Sequence, residues 1–326
     1  MDPRYLEDDD GGPTGVLLHA ADAVTLGYAM VDHIARGAGM RCLAIKGPVS
    51  AAHGLKPPGA SVDVDVLVDP NQSAALRQVL AGHGWLPMDT PIDGRLLPAH
   101  SATLGHRSWP ITIDLHHRFP GFLADPSVVF EALWAERATI RVAECDVLAS
   151  GRDGSTLIAA LHALREPEHP RSEARMKHLI AARGADDDAH RSLVDLAART
   201  GATETAVSLL RRIGIDAASD PADATAMREW LALTEYGRVR GLGWVRKLRD
   251  APLRERPRIL WRAVVTDNEA TLRRHGLRPD GSGRRRAHLR RIASIILDVP
   301  RLARVLVWDR PLRRLRRPNV HRNDAS

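Results

Sequence analysis

The stretch that decides the fold is "ASVDVDVLVDP", residues 60–70. Its valines alternate with aspartates at the two-residue period of a β-strand. Residues two apart in a strand point to the same face, so Asp63 and Asp65 project together while the valines pack on the other face. Two neighbouring carboxylates repel each other, and partial burial adds to that cost. Because a divalent cation relieves the repulsion, we predict a metal-binding pair; the alternative is an exposed edge strand with solvated aspartates.

The third aspartate of this stretch has a different role. Asp69 lies well beyond Asp65 along the strand and directly precedes Pro70. An Asp followed by Pro is typical of a helix N-terminus, in which the Asp caps the helix and the Pro occupies its first position. We therefore predict that Asp69 is structural.

Two further stretches carry residues that could bind a metal ion or phosphate. "ITIDLHHRF", residues 111–119, holds Asp114 among apolar neighbours, and a neighbouring strand would let it complete a three-acid cluster. His116 shares the face of Asp114, and the alternative to a functional role is a structural imidazole. In "AIKGPVS", Lys46 and Gly47 follow a short apolar run, where a lysine supplies charge and a glycine lets backbone amides approach phosphate.

The chain is basic, with 47 Lys and Arg against 40 Asp and Glu, and most of the excess lies late. A basic block of this kind attracts phosphate on nucleic acid, nucleotides or lipids, and the alternatives are a solvated helix face or a helix lying on a membrane or partner. The arginines concerned are at positions 284–286, 290, 291, 313, 314, 316 and 317.

The pattern of hydrophobic residues changes near residue 150. Strand-length runs alternate with helical stretches before it, and helical spacing dominates after it, which favours an α+β fold with a mixed sheet followed by helices. We predict a disordered acidic N-terminus over residues 1–15, an α/β domain over residues 16–150, and an α-helical domain with an Arg-rich end over residues 151–326. Glycines 184, 201 and 214 are expected at helix C-termini.

Cysteine usage and the N-terminal residues bear on the compartment. Cys42 and Cys145 lack the spacing of a zinc site, and we expect both to be reduced and buried. The first fifteen residues are acidic and turn-rich, unlike a secretory signal, so we expect a cytoplasmic protein. No apolar run is long enough to cross a bilayer.

The order of these motifs resembles the polymerase beta-like nucleotidyltransferase superfamily. Lys-Gly comes first, an Asp-x-Asp follows after about fifteen residues, and a strand Asp followed by Leu-His comes last. The resemblance is closest to the bacterial "uncharacterised nucleotidyltransferase" family and covers about residues 20–185. It also includes the helical stretch "LIAALHAL" with His162.

The resemblance implies a catalytic site. Asp63, Asp65 and Asp114 would be catalytic and bind Mg²⁺, with Mn²⁺ as the alternative ion. Lys46 and Gly47 would bind the nucleotide, and His116 would contact substrate or support the metal ligands. The implied reaction moves a nucleoside monophosphate from an NTP to the hydroxyl of a small molecule, a peptide or protein, or RNA.

The sequence departs from this family in two places, and they define the competing hypothesis. Relatives usually carry an arginine shortly before the Asp-x-Asp, and "PPGASVDVD" has none. The helix that often reads "LKWLLD" appears here as "MKHLIAA", which keeps Lys177 and loses the acid. The alternative function is therefore a catalytically inactive module that binds nucleic acid or a partner through its Arg-rich helical half.

Overall fold

A mixed β-sheet of seven strands organises the part of the chain that the computed structural model describes. That part comprises residues 18–56, 61, 63–88, 100–165, 170–184, 187–216, 224–238, 248, 251–264, 289 and 292–293. The strands are β1 (Cys42–Ile45), β2 (Asp63–Val68), β3 (Leu86–Pro87), β4 (Ser101–Gly105), β5 (Thr112–His116), β6 (Ala138–Val142) and β7 (Cys145–Ala149). They are arranged in the order β3-β4-β5-β2-β1-β7-β6.

Parallel and antiparallel neighbours coexist in this sheet. β2 is parallel to β5 and β1 is parallel to β7, whereas the other neighbouring pairs are antiparallel. The parallel pairs join strands that are distant in sequence, because such pairing requires a long crossover connection. The predicted α+β class with a mixed sheet is confirmed.

Helices account for the described elements after residue 150. They are α1 (Ala20–Gly37), α2 (Gly47–Ala52), α3 (Ser73–Gly82), α4 (Pro126–Ala135), α5 (Arg152–Leu164), α6 (Pro170–Arg183), α7 (Asp187–Arg199), α8 (Val207–Arg212), α9 (Ala224–Arg238) and α10 (Arg256–Val264). A short 3-10 turn precedes α3 over Pro70–Gln72, and another precedes α10 over Leu253–Glu255.

The alternation of side chains along the strands gives the sheet two apolar faces. Val64, Val66 and Val68 of β2 pack in one cluster with residues of α1 and α3. Leu67 points the other way and packs in a second cluster with residues of α4, α5 and α7. Since Asp63 and Asp65 share the parity of Leu67, they lie on the face that α5 covers.

The chain divides into two compact units, and the larger spans residues 10–238. Within it, α5, α7 and α9 contribute to the same apolar cluster as β1 and β2. The change from strands to helices therefore falls inside a shared core, and the domain boundary at residue 150 stays a prediction. In the second unit, the described residues include α10.

Capping residues fix where several elements begin and end. Asp69 caps the turn at Pro70, with its Oδ1 accepting the Asn71 N–H at 3.0 Å, as predicted. Arg41 forms an ion pair with Asp69 at 2.5 Å and so ties this turn to the start of β1. Gly184, Gly201 and Gly214 follow α6, α7 and α8 with positive φ, which confirms their prediction as C-terminal residues.

The N-terminus of α5 is capped by a carboxylate from outside the helix. Glu136 follows α4, and its two oxygens accept the N–H groups of Gly151 at 3.1 Å and Gly154 at 3.4 Å. A Cβ on either glycine would collide with Glu136, so only glycine allows this approach. The cap fixes how α5 enters the fold, and α5 later delivers residues to the site.

The sequence predictions for the two cysteines can be compared with the structure, whereas those for the N-terminus and the basic block cannot. Cys42 is buried as predicted, but the prediction for Cys145 is wrong, because Cys145 begins β7 directly after a turn and is exposed. The acidic N-terminus and the arginines of the basic block lie outside the described residues. In the described part of the chain, no helix has the length and apolar character to cross a membrane.

Candidate active site

Parallel pairing of β2 with β5 brings two of the predicted carboxylates side by side. Asp65 and Asp114 are register partners, and Asp63 lies opposite Thr112. Paired residues on neighbouring strands point to the same face, so all three aspartates face α5. The neighbours of Asp114 along β5, Ile113 and Leu115, are buried in the cluster on the other face.

The side chains of β2 and β5 form a set of donors that fits a divalent cation. One ligand atom from each of Asp65, Asp114 and His116 lies within 4.8 Å of the other two. Thr103 on β4 donates a hydrogen bond of 2.7 Å to Oδ1 of Asp114 and thereby orients that carboxylate. Carboxylate oxygens are the hard ligands that both Mg²⁺ and Mn²⁺ prefer. Asp63 lies on the same face but is not one of these three residues.

Asp65 is the most heavily bonded of the three carboxylates. Its Oδ1 accepts hydrogen bonds from Lys46 Nζ at 2.6 Å and from His116 Nε2 at 3.0 Å. Burial acts to raise the pKa of Asp65, but the His116 and Lys46 contacts outweigh burial and hold this pKa well below its ordinary value. Asp65 is therefore an anion at neutral pH.

His116 is buried and is neutral beside this anion. Burial lowers its pKa, and the charge of Lys46 adds to that effect, while Asp65 opposes it. A neutral imidazole that bonds to a carboxylate through Nε2 carries its proton on that nitrogen. The other ring nitrogen, Nδ1, is buried and has no hydrogen-bond partner among the described residues.

Asp63 has the opposite electrostatic character. Burial raises its pKa to about 6, and the negative charges of Asp65 and Asp114 contribute in the same direction. After burial, the main cause of the raised Asp63 pKa is the repulsion among the three carboxylates on this face of the sheet. A bound cation would remove that repulsion and restore the ionised form of Asp63.

The Lys46-Gly47 pair lies directly after β1, at the edge of the acidic cluster. Both residues have positive φ, of 57° and 37°, and α2 begins at Gly47. A Cβ on Gly47 would lie 2.7 Å from the hydroxyl oxygen of Tyr28, so glycine is required by space as well as by conformation. The ammonium of Lys46 is directed at Asp65, so Lys46 contacts the carboxylate cluster itself.

Tyr28 is a buried residue of this site that sequence reasoning missed. Its hydroxyl donates to the Ile45 carbonyl at 2.9 Å and accepts the Asp65 N–H at 3.1 Å. Ile45 and Asp65 are register partners on β1 and β2, so the hydroxyl bridges the two strands at the position of a catalytic candidate. A tyrosine on an amphipathic helix gives no sequence signal beyond that of an ordinary core residue.

Aromatic and basic residues lie beside His116, and among them the sequence analysis named only His162. The His100 ring stacks on His116 with centroids 5.8 Å apart, and Phe119 lies 5.7 Å from His116. Burial, helped by surrounding positive charges, lowers the pKa of His100 to about 3, so this ring is neutral. The end of α5 brings His162 and Arg165 to the same region, and only the register of a helix on a sheet places them there.

Comparison with known proteins assigns the chain to a family. The profile described as "Uncharacterised nucleotidyltransferase" matches residues 25–215, more than half of the chain. The chain belongs to this family. The matched residues contain the acidic cluster, the Lys46-Gly47 turn and α5.

Solved structures similar to this nucleotidyltransferase are distant in sequence. The solution structure of the antibiotic-resistance factor ANT(2'')-Ia is 12% identical, covers 57% of this chain and 96% of its own, and gives a TM-score of 0.38. An antigenic nucleotidyltransferase-like protein from Paracoccidioides brasiliensis is 9% identical, with coverages of 58% and 94% and a TM-score of 0.36. The lincosamide antibiotic adenylyltransferase LnuA, with lincomycin bound, is 13% identical, with coverages of 48% and 96% and a TM-score of 0.33.

No curated protein matches this nucleotidyltransferase in sequence. The predicted family and the prediction of a nucleotidyltransferase enzyme are confirmed. The individual roles of Asp63, Asp65, Asp114, Lys46, Gly47 and His116 stay predictions.

Proposed function

We propose that this nucleotidyltransferase is a Mg²⁺-dependent enzyme that moves a nucleoside monophosphate from an NTP to an acceptor hydroxyl, with Mn²⁺ as the alternative ion. The observation that carries the proposal is the parallel register of Asp65 with Asp114, with Asp63 on the same face. Three carboxylates that repel one another suit a cation and, through it, the phosphates of a nucleotide.

The proposed metal ligands are Asp63, Asp65 and Asp114. When bound there, Mg²⁺ supplies positive charge that stabilises the phosphate oxygens as the reaction proceeds. Asp65 is already ionised and needs no proton loss to act as a ligand. His116 supports Asp65 through its Nε2 bond and acts as a positioning residue.

In the proposed reaction, the acceptor hydroxyl oxygen attacks the α-phosphorus of the NTP. The bond from that phosphorus to the oxygen bridging the α- and β-phosphates breaks, and pyrophosphate leaves. We assign Asp114 to orient the acceptor hydroxyl and to accept its proton, since Thr103 fixes the orientation of this carboxylate. Lys46 and Gly47 contribute positive charge and a close backbone approach for the nucleotide phosphates.

The acceptor belongs to one of three classes: a small molecule, a peptide or protein, or RNA. The proposed division of labour keeps the chemistry in residues 16–150 and gives residues 151–326 the contacts that hold substrate. The competing proposal is a catalytically inactive module that binds nucleic acid or a partner through its Arg-rich helical half. It is favoured by the absence of the arginine that relatives carry before the Asp-x-Asp.

Calorimetric titration with non-hydrolysable analogues of the four NTPs, with and without Mg²⁺, separates the two proposals. The enzyme is expected to bind at least one analogue in a Mg²⁺-dependent manner, and the Asp65→Asn/Asp114→Asn double variant is expected to lose this binding. Transfer from α-labelled NTPs to a panel of the three acceptor classes then tests the reaction. Mg²⁺-independent RNA binding without any nucleotide binding would support the inactive module instead.

A further inference from the structure

Two cations from different parts of the chain lie against the ring of Phe119. Lys46 Nζ is 5.4 Å from the ring centroid, and Cζ of Arg165 is 5.9 Å from it. Phe119 itself is buried and lies 5.7 Å from the ring of His116. Arg165, at the end of α5, therefore shares the Phe119 ring with Lys46, and Lys46 bonds to Asp65.

The position of Arg165 is set by the last turn of α5. His162 Nδ1 and Arg165 NH2 are 2.9 Å apart, and a guanidinium only donates, so the imidazole nitrogen is the acceptor. His162 is neutral as this bond requires, because burial and the charges of Arg165, Lys46 and Arg175 lower its pKa. The neutral imidazole of His162 thus lies near three cations. These are Lys46 after β1, Arg165 at the end of α5 and Arg175 on α6.

An apolar cluster joins the segments that carry Lys56 and Arg175 to α5. Leu55, Ala163 and Met176 pack together and join the segment after α2 to α5 and α6. Lys56 directly follows Leu55, and Arg175 directly precedes Met176. Burial lowers the pKa of Lys56, the charge of Arg175 adds to this, and Asp63 and Asp65 oppose it. Lys56 therefore interacts electrostatically with Asp63 and Asp65 as well as with Arg175.

Like charges that the fold brings together repel each other, and a bound polyanion reverses that cost. Guanidinium groups present paired N–H donors that match phosphate oxygens, which an ammonium cannot do. The carboxylates alone would repel a triphosphate. Nearby cations would offset this repulsion and attract the phosphates.

We infer that Arg165 and Arg175, together with Lys46, form a polyphosphate subsite that holds the β- and γ-phosphates of the nucleotide. This inference rests on the proposed function and deepens it, because it assigns substrate binding to named residues of the helical half. His162 is the positioning residue that bonds to the Arg165 guanidinium beside the Phe119 ring.

Inorganic tripolyphosphate is the probe that isolates this subsite from recognition of the base and sugar. Its affinity is measured by calorimetry at fixed Mg²⁺ for the full-length protein and for Arg165→Gln, Arg165→Lys and Arg175→Gln. The matched control is Arg211→Gln, which removes an exposed arginine from α8. Melting temperatures of all variants establish that they are folded, and Arg165→Lys provides a milder change at the central position.

Each Gln variant is expected to weaken tripolyphosphate binding by roughly tenfold or more, since a charged hydrogen bond is lost. Arg165→Lys is expected to lose less, and Arg211→Gln is expected to bind like the wild type. Wild-type affinity in both Gln variants, an equal loss in Arg211→Gln, or no binding of tripolyphosphate to the wild type overturns the inference.

A transfer assay distinguishes this inference from the proposed function. If the wild type transfers nucleotide and the Gln variants keep wild-type tripolyphosphate affinity, the subsite is wrong and the proposed function stands. If the Gln variants lose tripolyphosphate affinity but no acceptor class is ever modified, the subsite stands and the proposed function fails.

Discussion

The Tyr28 hydroxyl occupies the space that a Cβ on Gly47 would need, so substitutions at these two positions are expected to be energetically coupled. Tyr28→Phe removes the partner of the Asp65 N–H and of the Ile45 carbonyl, which costs about 1–3 kcal/mol for buried polar groups. Gly47→Ala places a Cβ 2.7 Å from the hydroxyl oxygen, at φ 37°. Overpacking costs about 1–3 kcal/mol and positive φ about 1 kcal/mol more.

The two costs are expected not to add. In the Tyr28→Phe background the hydroxyl oxygen is gone, and the Cβ next meets ring carbons at 3.2 and 3.3 Å. Gly47→Ala should then cost about 1–2 kcal/mol less than it does in the wild type, an interaction energy that is ordinary for residues in contact.

Urea unfolding of the wild type, both single variants and the double variant measures this coupling. The matched control is Gly54→Ala, because Gly54 also has positive φ, of 71°, but a Cβ there meets no atom within 4 Å. The cost of this control substitution should be the same in the wild type and in the Tyr28→Phe background. Costs for Gly47→Ala and Tyr28→Phe that add to within about 0.5 kcal/mol would refute the argument.

Three further predictions concern catalysis and stability. Asp114→Asn should lower the transfer rate by about 10²-fold or more, whereas Thr103→Val, which removes only the orienting hydroxyl, should cost less; equal losses in a steady-state assay would contradict the assigned roles. Lys46→Met should weaken nucleotide binding in calorimetry while the melting temperature shows a folded protein, and unchanged affinity would remove Lys46 from the phosphate site. Burial raises the pKa of Glu136 from 4.5 to about 7, so folding favours the protonated form of this side chain. The stability that protonated Glu136 contributes to the folded state is therefore lost as pH rises from about 5 through 7. Relative to Glu136→Gln, the wild type should therefore lose up to roughly 3 kcal/mol of unfolding free energy over that range, and parallel pH profiles in urea would contradict the shift.

The local geometry of the site could be predicted from the sequence because it follows from the alternation of strand side chains. Alternation places Asp63 with Asp65 and the valines opposite them, and the capping role of Asp69 follows from its Pro neighbour. The partner of Asp65 could not be predicted in the same way. Its register with Asp114 depends on a parallel pairing between distant strands, which no local pattern encodes.

Contacts across layers explain the remaining omissions. Tyr28 bonds to the Asp65 N–H from a helix on one face of the sheet, and Arg165 contacts the Phe119 ring from the end of a helix on the other face. Neither residue differs in its sequence context from an ordinary core tyrosine or helix-end arginine. The prediction for Cys145 failed because its apolar neighbours belong to an edge hairpin, where a residue beside the turn is exposed.

The pairing of β2 with β5 also determines when the site appears during synthesis. A ribosome that has delivered residues 1–100 has already exposed the Asp63 and Asp65 strand, but not the strand that lies beside it. Closing the long connection between the two costs chain entropy before any pairing repays it. The unfinished chain therefore holds two clustered carboxylates without their partner strand. Under the proposed function, ion capture and any activity of a nascent chain would have to wait until β5 has emerged and docked.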